Sequence, residues 1–389
     1  MKFLHTSDLH IGIKLSGYSL DADIRHILCE IVEVAKSEGC SAVVVAGDIY
    51  DRSNPTPGAN VIFDEFVTSC AGEGISIIAI SGNHDSPERV AYMSSLLETN
   101  GVHVSPVFDG EVRFVDLSDE FGVVRFYMLP FIRPVNVREN CPDFDGKTYT
   151  DAVAFVTGRI AADDSAPARR VMVTHQFVTS GEGGKSESDA EVGGIGNVSA
   201  SAFEGFSYTA LGHIHGAYNV GRAENNVRYC GSPLKLSFSE VEDEKSVTVV
   251  ELLERDVNVK TVPISPIRDM REIRGSYEYV TSQSARESGP IDDYLRIVLT
   301  DDEMIEDVSA KLRCIYPNLM RIAYDNVRTR EIRDVTEAAE QEIDAISPLE
   351  VFAELFELQN NTPANDEVLK IAEELFGLCT EDFMGGERV

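Results

Sequence analysis

Three short strand-like runs, the second and third apolar, each followed by acid, amide or imidazole side chains, constrain this chain more than any other feature. Residues 2–6 lead to Asp8 and His10, residues 41–46 stop at Gly47 and Asp48, and residues 75–80 stop at Gly82, followed by Asn83, His84 and Asp85. Runs of five or six apolar, β-branched residues read as buried strands, and a glycine after them permits a tight turn at the carboxyl end. Between them lie helical stripes: Ile24, Ile27, Leu28, Ile31, Val32 and Ala35 over residues 21–37, then Val61, Ile62, Phe66 and Val67 over 58–71. Ser86 and Pro87 read as an N-cap and first-turn proline opening a third helix to about residue 99. The order β, α, β, α, β, α predicts a layered α/β domain with polar groups gathered at strand tips, where open α/β sheets bind ligands.

The pattern continues further along. Residues 171–174 form a short apolar run ending in His175, and residues 208–211 lead to Gly212, His213, Ile214 and His215. Of eight histidines, five (His10, His84, His175, His213, His215) fall at or just past expected strand tips beside Asp8, Asp48, Asn83 and Asp85. Each pair alone reads equally well as polar turn chemistry; the convergence of five is what points to a metal-assisted site. The donors are all oxygen and nitrogen, which favours manganese, iron or a similar cation over a structural cysteine-zinc site. A glycine-rich stretch at residues 181–196 contains Gly184, Lys185 and Ser186, but Thr179 stands where a phosphate-binding loop needs its first glycine.

Composition narrows the class. The net charge of −32 argues against a generic polyanion binder, since affinity for nucleic acid normally comes from Lys and Arg. A nuclease stays compatible, because bound cations bring positive charge and a partner can supply a basic surface. Seven widely spaced cysteines without a Cys-x-x-Cys pair read as reduced thiols. No apolar run approaches a membrane span and the first residues are polar where a signal peptide is apolar, so a cytoplasmic protein with no membrane association is expected.

After Pro263 and Pro266 the pattern changes. Segments 277–280, 294–300 and 319–324, with a helix over 304–315, suggest a small α+β unit. Residues 331–389 hold 16 acids against 3 bases, which makes the tail a poor nucleic-acid contact. Within it Ser347, Pro348 and Glu350 open a helix with Leu349, Phe352, Leu355 and Phe356 on one side. A second stripe carries Val368, Leu369, Ala372, Leu375 and Phe376. The expected divisions are 1–262, 263–330 and 331–389.

Taken in order, Asp8-x-His10, Gly47-Asp48-x-x-Asp51-Arg52, Gly82-Asn83-His84-Asp85, His175 and Gly212-His213-x-His215 resemble the calcineurin-like metallophosphoesterase family. The stretches around His5, Tyr50, Ser86, Tyr208, Gly231 to Pro233, Ser237 to Glu240 and Lys245 to Val247 resemble its SbcD branch of DNA nucleases, strongly to about residue 253. The resemblance implies a layered α/β metallophosphoesterase sandwich with an α+β cap and a C-terminal helical pair. It implies one divalent metal held by Asp8, His10, Asp48 and His215 and another by Asp48, Asn83, His175 and His213, most often manganese, with Asp48 bridging. His84 would face the scissile phosphate and Asp85 would orient it. Asp51 stands where archaeal and eukaryotic relatives have a second active-site histidine, and Ile13 where a basic residue is frequent. Implied partners are DNA, a second copy meeting through the helices of 58–71 and 86–99, and an SbcC-type ATPase captured by 347–377. A small-molecule phosphodiesterase or phosphoprotein phosphatase on the same fold is the alternative, because fold and metals do not choose the substrate.

Overall fold

In the computed structural model, the structure describes residues 1–163, 165–180, 196–221, 226–326, 352, 356 and 368–372. Two six-stranded sheets stack face to face. The first runs Val257–Pro263, Ser246–Leu252, Lys2–Thr6, Ala42–Ala46, Ser76–Ile80, Val102–Val104, and its last four strands are parallel. The second runs Tyr218–Asn219, Val227–Tyr229, Tyr208–Gly212, Arg169–His175, Gly122–Leu129, Arg113–Asp119, with four parallel strands at its centre.

Period-two alternation builds the layers. Phe3, Val44, Ile78, Phe126, Val171, Tyr208 and Val250 point between the sheets and form one core. Val43, Val45, Ile77 and Val249 point the other way, onto helices Asp21–Ser37 and Pro57–Gly72. Met172 and Leu211 face helix Tyr149–Ala161 on the far side. Each fully buried aliphatic side chain contributes about 1.5–3 kcal/mol relative to exposure, so the central strands, buried along their length, are held from both faces. The result is helix, sheet, sheet, helix, with Phe3 meeting Phe126 edge-on at 5.2 Å between the sheets.

Two helix readings need correction. In Pro57–Gly72, capped by the Thr56 hydroxyl accepting from the Ala59 amide at 3.2 Å, the buried side is Ala59, Ile62, Phe66 and Cys70. Val61, which the sequence pattern groups with the apolar stripe, is 49% exposed. The single helix expected from Ser86 breaks into Pro87–Val90, Ser94–Leu97 and a 3-10 turn Glu98–Asn100, with Met93 left-handed at φ 61°. None of these residues is fully buried, and with only Val90 and Leu97 leaning on the core a continuous helix lacks the packed face that is its main source of stability.

Beyond Pro263, Met270–Gly275, Tyr294–Leu299 and Leu319–Tyr324 form a three-stranded parallel sheet. Tyr277–Thr281, grouped with strand-like segments in the sequence, is helical and capped by Ser276; Met270–Gly275 is a strand that the apolar pattern does not announce. The helix expected over 304–315 shortens to Val308–Arg313. This unit is pinned to helix Asp21–Ser37: the Tyr294 hydroxyl donates to buried Asp23 at 2.7 Å, and Arg268 forks onto the same carboxylate at 2.8 and 3.2 Å. The glycine-rich stretch and most of the acidic tail lie outside the described residues. Among the described residues no helix is long and apolar enough to cross a membrane.

Candidate metal centre

The carboxyl ends of strands Lys2–Thr6, Ala42–Ala46, Ser76–Ile80, Arg169–His175 and Tyr208–Gly212 deliver all nine sequence-assigned residues to one rim. The backbone there is unusual. Asp8, His10, Asp48 and His213 all have positive φ (53°, 43°, 49° and 100°), half of the eight such non-glycine residues among those described. A left-handed non-glycine residue costs of order 1–3 kcal/mol and persists where its surroundings over-determine it. Those surroundings are visible: the Asp8 amide donates to the Gly47 carbonyl at 3.0 Å and the His10 amide to the Asp48 carbonyl at 3.1 Å. Gly82 is obligatory, because a Cβ there would collide with the Asp48 carboxylate and amide.

The donor atoms form two groups. Asp8, His10 and His215 make one, Asp8, Asp48 and His175 the other, with ligand atoms within 4.8 Å of one another in each. Asp8 is common to both, where the family pattern implied Asp48 as the bridge. Asp48 Oδ2 nevertheless faces both sets, 3.7 Å from His10 Nε2 and 3.3 Å from His175 Nε2. Asn83 Oδ1 closes the second group, 3.1 Å from His175 Nε2 and 3.0 Å from His213 Nδ1.

The residues fit divalent cations. His10 is buried, yet neither of its ring nitrogens has a hydrogen-bond partner, a costly state that a metal would relieve. Around Asn83 Oδ1 a ring nitrogen from each of two imidazoles converges with the amide oxygen on one point. Burial alone would lower His175, but the Asp48 carboxylate outweighs it and raises the imidazole to about 9. Burial, reinforced by His175, lowers His213 to about 4, and burial also lowers His10. Burial alone would raise Asp48, yet His175 beside it holds its carboxyl well below the ordinary value.

Asp85 departs from its assignment. Its buried carboxylate accepts from the amides of Gly82, Ile49 and Tyr50 at 2.9, 3.1 and 2.9 Å, with no hydrogen bond to His84. It ties the turn after Ile80 to the turn after Ala46, and burial together with Asp48 pushes its carboxyl up to about 6. His84 is oriented instead by a main-chain atom: its Nδ1–H donates to the Asp51 carbonyl at 3.1 Å, so Nε2 is the nitrogen not engaged in that bond. Its amide donates to Asp48 Oδ1 at 2.9 Å.

Sequence reasoning also missed what stands behind two ligands. His175 Nδ1–H donates to the Ala46 carbonyl at 2.8 Å, which no side-chain motif could reveal. His215 Nδ1 meets Glu240 Oε1 at 3.0 Å, and Lys245 Nζ meets Glu240 Oε2 at 2.7 Å. Both residues stood in stretches noted for their family likeness, but nothing in the spacing assigned them to His215.

A stack of two sheets between helix layers, with carboxylates, imidazoles and an amide at one end, defines the calcineurin-like phosphoesterase class, and the model of that name matches residues 1–159. Residues 266–360 match a second family model, described as the type 5 capsule protein repressor C-terminal domain. The SbcD component of the nuclease SbcCD from Staphylococcus epidermidis is 30% identical over 83% of this chain and 85% of its own length. The chain belongs to the SbcD family of phosphodiester-hydrolysing enzymes. Solved structures similar to it include a dimetal phosphatase from Danio rerio (12% identical, 69% of this chain, 98% of that one, TM-score 0.40). Another is TT1561 of Thermus thermophilus (11% identical, 67% and 98%, TM-score 0.35).

Proposed function

We propose that this chain is a manganese-dependent DNA nuclease, a double-strand exonuclease and single-strand or hairpin endonuclease, working with an SbcC-type ATPase in cytoplasmic DNA end processing, repair and recombination. The observation that carries the reading is the pair of donor groups sharing Asp8, with the half-exposed His84 ring 4.9 Å from that of His10. Asp8, His10, Asp48 and His215 hold one divalent cation; Asp48, Asn83, His175 and His213 hold the other. Bound there, a metal pair supplies Lewis-acid charge and an acidified water for phosphoester hydrolysis. His84, its Nδ1–H fixed on Asp51, presents Nε2 to the leaving oxygen to deliver or share a proton. Asp85 acts at a distance, by locking the two turns that carry Asp48 and His84. The all-oxygen-and-nitrogen donor set supports manganese.

The test is the full-length chain with manganese, linear duplex DNA and bis-p-nitrophenyl phosphate. Both substrates should be cleaved. Turnover of the small ester with DNA left intact, alone and with the ATPase, would make it a small-molecule phosphodiesterase instead.

We assign residues 1–262 to the nuclease unit, 263–330 to a cap that contacts DNA, and 331–389 to an acidic linker and partner-binding segment. The apolar stripes of the tail support the last. Phe352 and Phe356, one helical turn apart, have ring centroids 6.0 Å apart, and Val368, Lys370 and Ala372 lie on a helical stretch. A chain ending at Asp344 should lose co-purification with the ATPase; retention at the full-length level would refute the assignment. The chain also forms a homodimer in this reading, through exposed Tyr92, Met93 and Leu96 beside helix Pro57–Gly72.

A further inference from the structure

Two of the imidazoles assigned to metal are backed by different chemistry. His175 donates its Nδ1–H to a neutral carbonyl, that of Ala46, at 2.8 Å. His215 has a carboxylate behind it: Glu240 Oε1 lies 3.0 Å from Nδ1. That carboxylate is itself placed with care. Glu240 Oε2 accepts from Lys245 Nζ at 2.7 Å and from the Leu236 amide at 3.2 Å, and Glu240 and the Lys245 side chain are both buried. Lys245 Nζ also donates to the His215 carbonyl at 3.0 Å and to the Ser232 hydroxyl at 3.2 Å. One ammonium therefore grips the backbone of the histidine and the carboxylate that holds its ring.

We propose that Glu240, anchored by Lys245, is the positioning residue of the metal position built from Asp8, His10 and His215, fixing the His215 ring so that Nε2 is the ligand atom. The inference rests on the reading of this rim as a two-metal centre. An ionised carboxylate on the far ring nitrogen fixes tautomer and orientation and raises ligand basicity, and removing such a partner typically costs 10–100-fold in metal affinity. His175 lacks this support. Loss of Glu240 should accordingly weaken one ion and spare the other.

Manganese binding to the full-length chain, followed by calorimetric titration and by electron paramagnetic resonance, separates the outcomes. In the native protein the two ions should give the spectrum of an exchange-coupled pair. Glu240→Ala should weaken one binding event by about 10–100-fold and replace the coupled spectrum with that of an isolated ion. Glu240→Gln, which keeps an acceptor for the ring and for the Leu236 amide but loses the charge, should fall between. Lys245→Met should follow Glu240→Gln. Unchanged affinity in Glu240→Ala would overturn the proposal. So would equal weakening of both ions, or a fall in metal-free thermal stability with affinity retained, since these mark a purely structural role. Absence of a coupled pair in the native protein would instead refute the two-metal reading itself.

Discussion

The strand-tip rim and the segment Pro87–Asn100 adjoin in sequence and differ in how firmly each is determined. At the rim, turns sit on strands buried from both faces, and four residues hold positive φ because neighbouring carbonyls and carboxylates leave no alternative. In the segment, two four-residue helices and a 3-10 turn hold no fully buried residue, with Val90 and Leu97 only partly buried against the core, while Tyr92 and Leu96 stand 69% and 68% exposed. The rim presents convergent donor side chains, whereas the segment presents apolar side chains to its surface. The segment is an irregular surface with large apolar side chains exposed on it.

The largest effect expected from breaking the rim is at Asp48, whose two oxygens serve His84, His10 and His175 at once. Asp48→Ala should lower hydrolysis of bis-p-nitrophenyl phosphate by about 10³-fold or more, the scale of several kcal/mol of metal-derived stabilisation. Elemental analysis after manganese loading should show the pair depleted. Full activity with two ions bound would remove Asp48 from the centre.

His84 comes next. Replacement by Ser should leave manganese content intact and lower turnover by about 10²-fold, as for a positioned acid. Metal loss on substitution would make His84 a ligand.

These residues were legible in the sequence because their burial and spacing follow strand periodicity: a run alternating between two cores must end at a tip, and the polar residues after it must share that tip. What was illegible travels through the main chain or depends on rotation. The Asp51 carbonyl on His84 and the Ala46 carbonyl on His175 have no side-chain signature. Asp85 carries the right residue type in the right turn, but its oxygens serve three amides instead of His84, a choice only coordinates reveal. The break at Met93 was hidden for the opposite reason, since an amphipathic pattern promises a helix only where something receives its apolar face. The strand Met270–Gly275 was hidden by its charged residues, Arg271, Glu272 and Arg274.

A smaller effect tests the interior that holds the rim. His5 lies fully buried on the first strand, Nδ1 3.0 Å from the Tyr208 hydroxyl, and burial with the charge of Arg228 lowers it to about 3. The folded value lies below the unfolded 6.5, so the unfolded chain takes up the extra proton. Stability from this group is complete above about pH 6.5 and is lost as pH falls toward about 3, by up to about 1.4 kcal/mol per pH unit. In urea unfolding of the metal-free protein, His5→Gln should flatten that slope relative to the native chain. Parallel curves would show that His5 does not carry it.

The smallest effect on the fold should come from the segment. Tyr92 and Leu96 rise beside a cavity of about 650 Å³ lined by Tyr50, Phe63, Val67, Val90 and Leu97, and nothing in the chain's described residues buries them. Surface substitutions away from packed or charged networks usually change stability by less than about 0.5 kcal/mol, so Tyr92→Gln with Leu96→Gln should unfold with the native chain. Hydrolysis of bis-p-nitrophenyl phosphate should be unchanged, because neither residue touches the rim. The mass in light scattering at micromolar concentration is the discriminating measurement. If a second copy covers this face, the native chain is a dimer and the double variant a monomer, since two glutamines replace the apolar area that makes the contact favourable. A native chain that is already monomeric would refute the dimer. A variant that stays dimeric would move the contact elsewhere and leave the apolar segment to another partner.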